Sequence, residues 1–310
     1  MHIQHILVTG RLKNQIKQEM EGRHLPQTFR FLDEQEVTSA DFLWADAYVN
    51  FYPIPQFQWG NLRWVHSLGA GVDRFIGLKE WKNDVVLTRT ICSFGQKISE
   101  YCLSYILQDL QHHHLFQKQQ EASEWTPVTP KTLSSQRVVI YGTGEIGQEV
   151  ARVFSQLGTE VIGVSLSGQK KAHFKHVYKI SERSDFLRET DWVISTLPLT
   201  EQTYQIFNHQ FFQSLSSAGF INVGRGATVA EEGLLWALEQ QFLRKAVLDV
   251  FEEEPLSEGS PLWKDERVTV TPHISAVTSP EEGIVCFLDT LEKMNANQPL
   301  HNEVDLQKGY

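Results

Sequence analysis

The feature that most constrains this 310-residue chain is a ten-residue segment, Val138 to Gly147, reading VVIYGTGEIG. A β-branched apolar run leads straight into Gly142, Gly144 and Gly147 in G-x-G-x-x-G spacing, and a helical pattern, Ile146 to Leu157, comes next. Strand, glycine turn and helix in that order build the unit that cradles a pyrophosphate. The first glycine lets the chain turn sharply, the second lets backbone approach phosphate, and the third lets the helix pack on the sheet. The helix adds free N–H groups and a partial positive charge. A dinucleotide is therefore expected on Gly142, Thr143, Gly144, Glu145, Ile146 and Gly147.

The segments around this turn repeat its architecture. Glu160 to Val164, Asp191 to Thr196, Gly219 to Val223, Lys245 to Asp249 and Val268 to Thr271 read as further strands, mostly separated by helical patterns. They complete a doubly wound domain. The first hundred residues form a second α/β series, with strands at His5 to Thr9, Ala47 to Phe51, Arg63 to Leu68 and Val85 to Thr88, and a helix over Leu12 to Glu21. Helical periodicity from about Lys97 to Phe116 leads into a polar, proline-bearing stretch, Gln117 to Gln136, that reads as a linker or arm. A last helix, roughly Pro280 to Asn295, is placed to cross back to the first half.

Composition narrows the class. With 28 basic and 38 acidic residues the net charge is −10, which argues against a nucleic-acid face. Cys92, Cys102 and Cys286 are too few and too scattered for a disulfide framework or a zinc site, and read as small core hydrophobes. Adjacent histidines His112 to His114 point in different directions on a helix, so no metal is expected there or elsewhere. No apolar run approaches the roughly 18 residues of a membrane span, and MHIQHILVTG lacks the order of a signal peptide. A soluble, cytoplasmic protein is expected.

The choice of dinucleotide depends on the residues just beyond the second strand. An NAD site usually carries an acidic residue about 20 positions beyond the glycines, bonding the ribose hydroxyls. Here the chain continues with Ser165, Leu166, Ser167 and Gly168, then Lys170 and Lys171. Hydroxyls and ammoniums without a repelling carboxylate favour a 2′-phosphate, hence NADP, with NAD the second choice. The plainer reading of the lysines is solvated charge.

Three strand ends supply chemistry. FINVGRG (220–226) ends in Arg225 between glycines, VLDVFEEEPL (247–256) in an acidic cluster, and VTVTPHISA (268–276) in His273 after a proline. Ligands of open parallel sheets bind at that edge.

With these residues in hand, the chain resembles the D-isomer-specific 2-hydroxyacid dehydrogenases, a family that includes glyoxylate/hydroxypyruvate reductases. The resemblance rests on GTGEIG (142–147), TLPLTEQT (196–203), FINVGRG, LDVFEEEPL and TPHIS (271–275), in the family's order, and on LGAGVDRF (68–75) and the Glu100 segment. It implies a Rossmann cofactor domain, residues 103–281, inserted into a flavodoxin-like substrate domain, 1–102 and 282–310. It also implies reduction of a small 2-oxo acid such as glyoxylate or hydroxypyruvate to the D-2-hydroxy acid. Arg225 matches the arginine that holds carboxylate and carbonyl oxygen, and His273 the acid/base. Glu254 matches the carboxylate that pairs with the histidine and favours its charged form. The backbone of Leu68, Gly69, Ala70 and Gly71 matches the loop that takes the substrate carboxylate, as an amide nest would.

Thr196, Pro198 and Thr203 match the segment passing the nicotinamide, with core packing as the alternative. Leu197 and Val223 are expected near the cofactor with Ser165, Ser167 and Lys170, and Asp249, ending a buried strand, is expected to be structural or to face the cofactor ribose. Ser165 stands where many NAD-dependent relatives carry Asp, and Leu166 where NADP-preferring ones often carry Arg. Relatives pair through their cofactor domains, so a homodimer with an arm over 117–136 is implied. The end at Tyr310, soon after the last helix, reads as lacking a regulatory domain. A competing reading is a dinucleotide-sensing, corepressor-like binding module of the same fold. The aromatic set Trp44, Tyr52, Trp59 and Trp64 is assigned to a substrate wall or, more simply, to core.

Overall fold

The computed structural model describes residues 2–78, 81–82, 84–182 and 185–306. They fall into two compact units, Met1–Phe94 with Val277–Tyr310, and Gly95–Ala276. Both are parallel-sheet α/β structures.

In the first unit β1 (His5–Val8), β2 (Thr28–Phe31), β3 (Ala47–Asn50), β4 (Trp64–Ser67) and β5 (Val86–Arg89) pair in parallel, in the order β2-β1-β3-β4-β5. That is the flavodoxin-like order. Side-chain alternation decides the two faces. Ile6, Val8, Val49 and Trp64 face α1 (Lys13–Glu21) and the last helix of the chain. Leu7, Tyr48, Val65 and Leu87 face Phe42 of α2 (Ser39–Trp44) and Phe75 of α3 (Asp73–Ile76).

The second unit begins within α4 (Phe94–Leu110), which is followed by α5 (His113–Ala122). Its strands are β6 (Arg137–Tyr141), β7 (Glu160–Ser165), β8 (His176–Lys179), β9 (Trp192–Ser195), β10 (Ala218–Asn222), β11 (Leu243–Leu248) and β12 (Val268–Val270). All pair in parallel, in the order β12-β11-β10-β9-β6-β7-β8, the doubly wound Rossmann arrangement with one added strand. Val138, Ile140, Trp192 and Ile194 pack against α4 and α6 (Glu145–Gln156). Val139, Tyr141, Val193 and Phe220 pack against α7 (His209–Phe212) and α8 (Glu231–Glu239). Burial on both faces explains why these strands read as continuous apolar runs. The last helix, α9 (Pro280–Asn295), buries Ile284, Phe287, Leu291 and Met294 in the first unit's core.

Several expectations are corrected. The units divide at 94/95 and 276/277, not at 102/103 and 281/282, because Ile98 and Cys102 already belong to the second core, while Thr278 caps Leu68 O and Ser279 caps α9. Residues 307–310 of the expected returning segment lie outside the described residues. The helical run from Lys97 to Phe116 is two helices: His112 takes φ 56°, a left-handed conformation that breaks the run inside the histidine triplet. The expected linker begins as the rest of α5, continues without regular structure and ends in one 3-10 turn, Leu133–Ser135. Strands β2 and β8 have no counterpart among the strands expected from sequence. Cys102 is buried, whereas Cys92 and Cys286 are only half-buried. The aromatic residues form no single wall. Trp64 is sealed beneath α9, Trp44 and Trp59 pack on the opposite face, and Tyr52 is exposed.

Candidate active site

The glycine turn is built as its spacing requires. Gly142 has φ +98°, and a side chain there would collide with Thr196 Oγ1. A Cβ on Gly147 would lie 1.9 Å from Gly142 O, so only glycine lets α6 approach β6 this closely. Gly144, by contrast, caps α6 with ordinary φ and has nothing within 4 Å of a Cβ position. Open space over a helix N-terminus is what a pyrophosphate needs, and the residues present fit that group.

Beyond β7, Ser165 Oγ accepts the Gly168 N–H at 3.1 Å and Ser167 Oγ the Gln169 N–H at 3.3 Å. Both serines shape the turn while keeping a hydroxyl hydrogen to donate. Lys170 is exposed above them and Lys171 half-buried. A cation not anticipated from sequence, Lys179, lies opposite Ser165 in the β7–β8 register. Only recognition of β8 could have revealed it.

Leu197 packs into the core beside Phe207 and Phe220. Thr203 Oγ1 donates to Pro198 O at 2.7 Å and accepts the Thr200 N–H at 2.8 Å, pinning the 198–203 loop. Val223 is buried and its N–H bonds Ser195 O. These three therefore support the segment from within, and core packing accounts for their side chains.

The chemistry-bearing residues leave three adjacent strands, whose last residues Asn222, Leu248 and Val270 lie in register. Arg225 sits three residues past β10, where Asn222 Nδ2 and Thr228 Oγ1 both donate to its carbonyl, at 3.1 and 2.6 Å. Its Nη1 donates to Gly224 O at 2.7 Å. Gly226 is next because any Cβ there would strike the Phe251 carbonyl carbon at 1.8 Å. Glu254, reached through that loop, accepts the Phe251 N–H with Oε1 at 3.0 Å. With Oε2 it meets His273 Nδ1 at 2.9 Å.

His273 has φ 54°, a costly conformation for a non-glycine residue. Asp249 holds it there. Its carbonyl accepts the His273 N–H at 2.9 Å, and its buried carboxylate accepts the Ile274 and Ser275 N–H groups at 2.8 and 2.9 Å and the Thr271 hydroxyl at 2.6 Å. Asp249 thus lies under the histidine turn as its anchor, the structural one of its two expected roles. Tyr101 of α4 extends the chain by donating to Thr271 Oγ1 at 2.6 Å, its hydroxyl kept protonated mainly by burial. No local signal joins residues 101 and 271.

In the first unit the loop after β4 is held by Ser67, whose Oγ bonds the Gly69 N–H at 3.3 Å and Gly71 O at 3.2 Å. Leu68 N–H donates to Asn50 O. Among the described residues the Ala70 and Gly71 N–H groups donate no hydrogen bond, so the four-residue nest expected from sequence reduces to those two. Among the described residues, no three His, Cys, Asp or Glu side chains are grouped to hold a metal, and no helix is long and apolar enough to cross a membrane.

The sheet order, the glycine turn and the histidine–carboxylate pair define a dinucleotide-dependent oxidoreductase. Residues 103–275 match the family model described as D-isomer specific 2-hydroxyacid dehydrogenase, NAD binding domain. The chain belongs to that family. It is 32% identical over 265 residues to glyoxylate/hydroxypyruvate reductase A of Klebsiella pneumoniae (strain 342), covering 83% of this chain and 85% of the relative. Among solved structures it is similar to a D-isomer specific 2-hydroxyacid dehydrogenase from Xanthobacter autotrophicus Py2 in complex with NADPH and MES, at 28% identity and TM-score 0.87 over 100% of both chains. It is also similar to an NADPH-dependent glyoxylate/hydroxypyruvate reductase from Sinorhizobium meliloti in complex with NADP and sulfate, at 27% identity and TM-score 0.83, covering 99% of this chain and 100% of the other.

Proposed function

We propose that the protein reduces a small 2-oxo acid of the glyoxylate or hydroxypyruvate type to the D-2-hydroxy acid, with NADPH as the preferred cofactor. The observation that carries this reading is the 2.9 Å pair between His273 Nδ1 and Glu254, built on a strained turn that Asp249 holds from below. A dinucleotide would be held through its pyrophosphate at the Gly142–Gly147 turn and, in its reduced form, would supply the hydride for the carbonyl carbon. The protein supplies everything else. Arg225 grips the carboxylate and polarises the neighbouring carbonyl oxygen with its planar fork. In the first unit, the Ala70 and Gly71 amides offer donors to a carboxylate. Glu254 accepts the Nδ1 hydrogen, which directs Nε2 of His273 toward substrate as the proton donor to the developing alkoxide. Hydride and proton together account for the two hydrogens gained.

Cofactor preference rests on the turn after β7. Ser165, Ser167, Lys170 and Lys179 offer hydroxyls and cations, and the 165–171 segment carries no acidic residue, although Glu182 accepts the Lys179 N–H at 2.9 Å. The reductase relative from Sinorhizobium is named NADPH-dependent, which supports the same choice. Charge-assisted bonds are worth roughly 1.5–3 kcal/mol each, so one net contact favours NADPH over NADH by about tenfold or more in kcat/KM. Steady-state assays of a 2-oxo acid panel with both cofactors test this, and Ser165→Asp reverses part of the preference. Equal use of NADH overturns the NADP assignment alone. Binding of NADPH without turnover of any 2-oxo acid favours a dinucleotide-sensing module instead.

The reading includes a cytoplasmic setting, where thiols remain reduced, and a homodimer. The exposed stretch after α5, with Trp125 97% exposed, is the surface offered to a second copy. Sedimentation at micromolar concentration tests the dimer, and Trp125→Ser weakens it.

A further inference from the structure

The first unit carries a cation–aromatic cluster that the chemistry above leaves unused. Arg11 follows β1, Phe51 and Tyr52 follow β3, and Gly69 follows β4, so all stand at the carboxyl edge of three neighbouring strands. Between β1 and β3 the strand order reverses, the position where such sheets open a crevice. The Arg11 Cζ lies 4.0 Å from the Phe51 ring centre, and the Arg74 Cζ lies 4.4 Å from that of Tyr52. The two rings are 6.3 Å apart. Gly69 presses on the same platform, a Cβ there falling 3.4 Å from Phe51 Cδ1.

Among the described residues neither guanidinium enters an ion pair, although the chain carries a net charge of −10. The nearby acids are occupied: Asp33 pairs with Lys13, and Glu34 accepts from Asn50 Nδ2. An arginine stacked on a ring spends only its face, so its N–H edge stays in plane and ready for an anion. Stacking also fixes the fork in advance, reducing what is lost on binding.

We propose that Arg11 and Arg74, laid on Phe51 and Tyr52, form a subsite for a second anionic group on the substrate, so that 2-oxo dicarboxylates belong to the substrate range. The proposal rests on the 2-oxo acid reading, in which the first carboxylate lies on the Ala70 and Gly71 amides next to this platform. Glyoxylate, with no second anion, is the internal reference.

The test is the ratio of kcat/KM for oxaloacetate or 2-oxoglutarate to that for glyoxylate, in wild type, Arg11→Gln and Arg74→Gln. Loss of one charge-assisted contact lowers the ratio on the order of 10- to 100-fold. Phosphohydroxypyruvate, run beside the dicarboxylates, identifies by its own loss whether the anion preferred is phosphate or carboxylate. A ratio unchanged in both variants overturns the subsite. Malonate, which cannot be reduced, separates this outcome from failure of the reductase reading. Calorimetric binding of malonate that weakens in both variants upholds the subsite even without turnover. Glyoxylate turnover with neither malonate binding nor diacid reduction removes the subsite and leaves the reductase.

Discussion

At the residue scale, three side chains and one buried imidazole carry separable consequences. His273→Ala leaves the sheet intact, because the turn is held through the main chain by Asp249, yet it removes the proton donor. General acid catalysis of this kind is worth on the order of 10² to 10⁴ in kcat. Arg225→Ala lowers kcat and raises KM together, since ground-state carboxylate binding is lost as well. Unchanged circular dichroism with near-normal turnover in either variant would remove that residue from the mechanism. Glu254→Gln takes a negative charge from beside the imidazole and weakens the bond that orients the ring, so kcat falls while the fold is kept. A kcat identical to wild type means the 2.9 Å contact does no work in orienting the ring.

His66 behaves differently because nothing near it compensates a charge. It is wholly buried, its Nδ1 2.8 Å from Thr88 Oγ1, and burial pushes its pKa down to about 3. The unfolded chain protonates this imidazole below about 6.5, so between those values unfolding takes up a proton. The stability it contributes is complete above about pH 6.5 and is lost as pH falls, by about 2 kcal/mol at pH 5. Urea unfolding at pH 7 and pH 5 reads this difference, and His66→Gln shrinks it. The same loss in the variant would sink the assignment.

At the element scale, the two inner glycines of the β6–α6 unit separate folding from binding. Gly147→Ala forces a Cβ to 1.9 Å from a backbone oxygen, so α6 must shift, costing about 1–3 kcal/mol. Gly144→Ala meets nothing in the protein and costs less than about 1 kcal/mol as an altered cap. It instead fills the phosphate space, and NADPH affinity falls about tenfold or more. Thermal melts and cofactor titrations on the two variants check the contrast; a Gly144→Ala protein that binds normally places the pyrophosphate elsewhere.

Elements of this kind were legible because both their faces are buried and their turns are short. The strands β6, β9, β10 and β11 show it, as does α9, read to its observed ends. The features that escaped depend on contacts distant in sequence. Strand β8 has two half-buried residues between two exposed ones and none fully buried, at the sheet edge, so its apolar signal is weak and Lys179 went unseen with it. The break at His112 is a single left-handed residue inside otherwise helical periodicity. The histidine and the arginine stood out at their strand ends and Glu254 was singled out of its acidic cluster by the family resemblance, whereas the Asp249–Thr271–Tyr101 support was not legible, being a tertiary hydrogen-bond chain.

At the scale of the whole molecule, the charge poses a problem that the local sites answer. A chain of net charge −10 is proposed to bind a phosphate-rich cofactor and an anionic substrate, all of the same sign. If the summed charge governed encounter, added salt would screen the repulsion and raise kcat/KM. The Debye length is about 10 Å at 0.1 M salt, so charges spread over the surface already act weakly at the end of β7, where Lys170 follows in sequence and Lys179 lies in register with Ser165. The close cations therefore dominate. Raising ionic strength lowers kcat/KM for NADPH, and lowers it more steeply than for NADH, which lacks the 2′-phosphate. Removing one cation by Lys179→Gln flattens the NADPH slope without touching that for NADH. Slopes that rise with salt, or that match for the two cofactors, would mean that the lysines beyond β7 face only solvent.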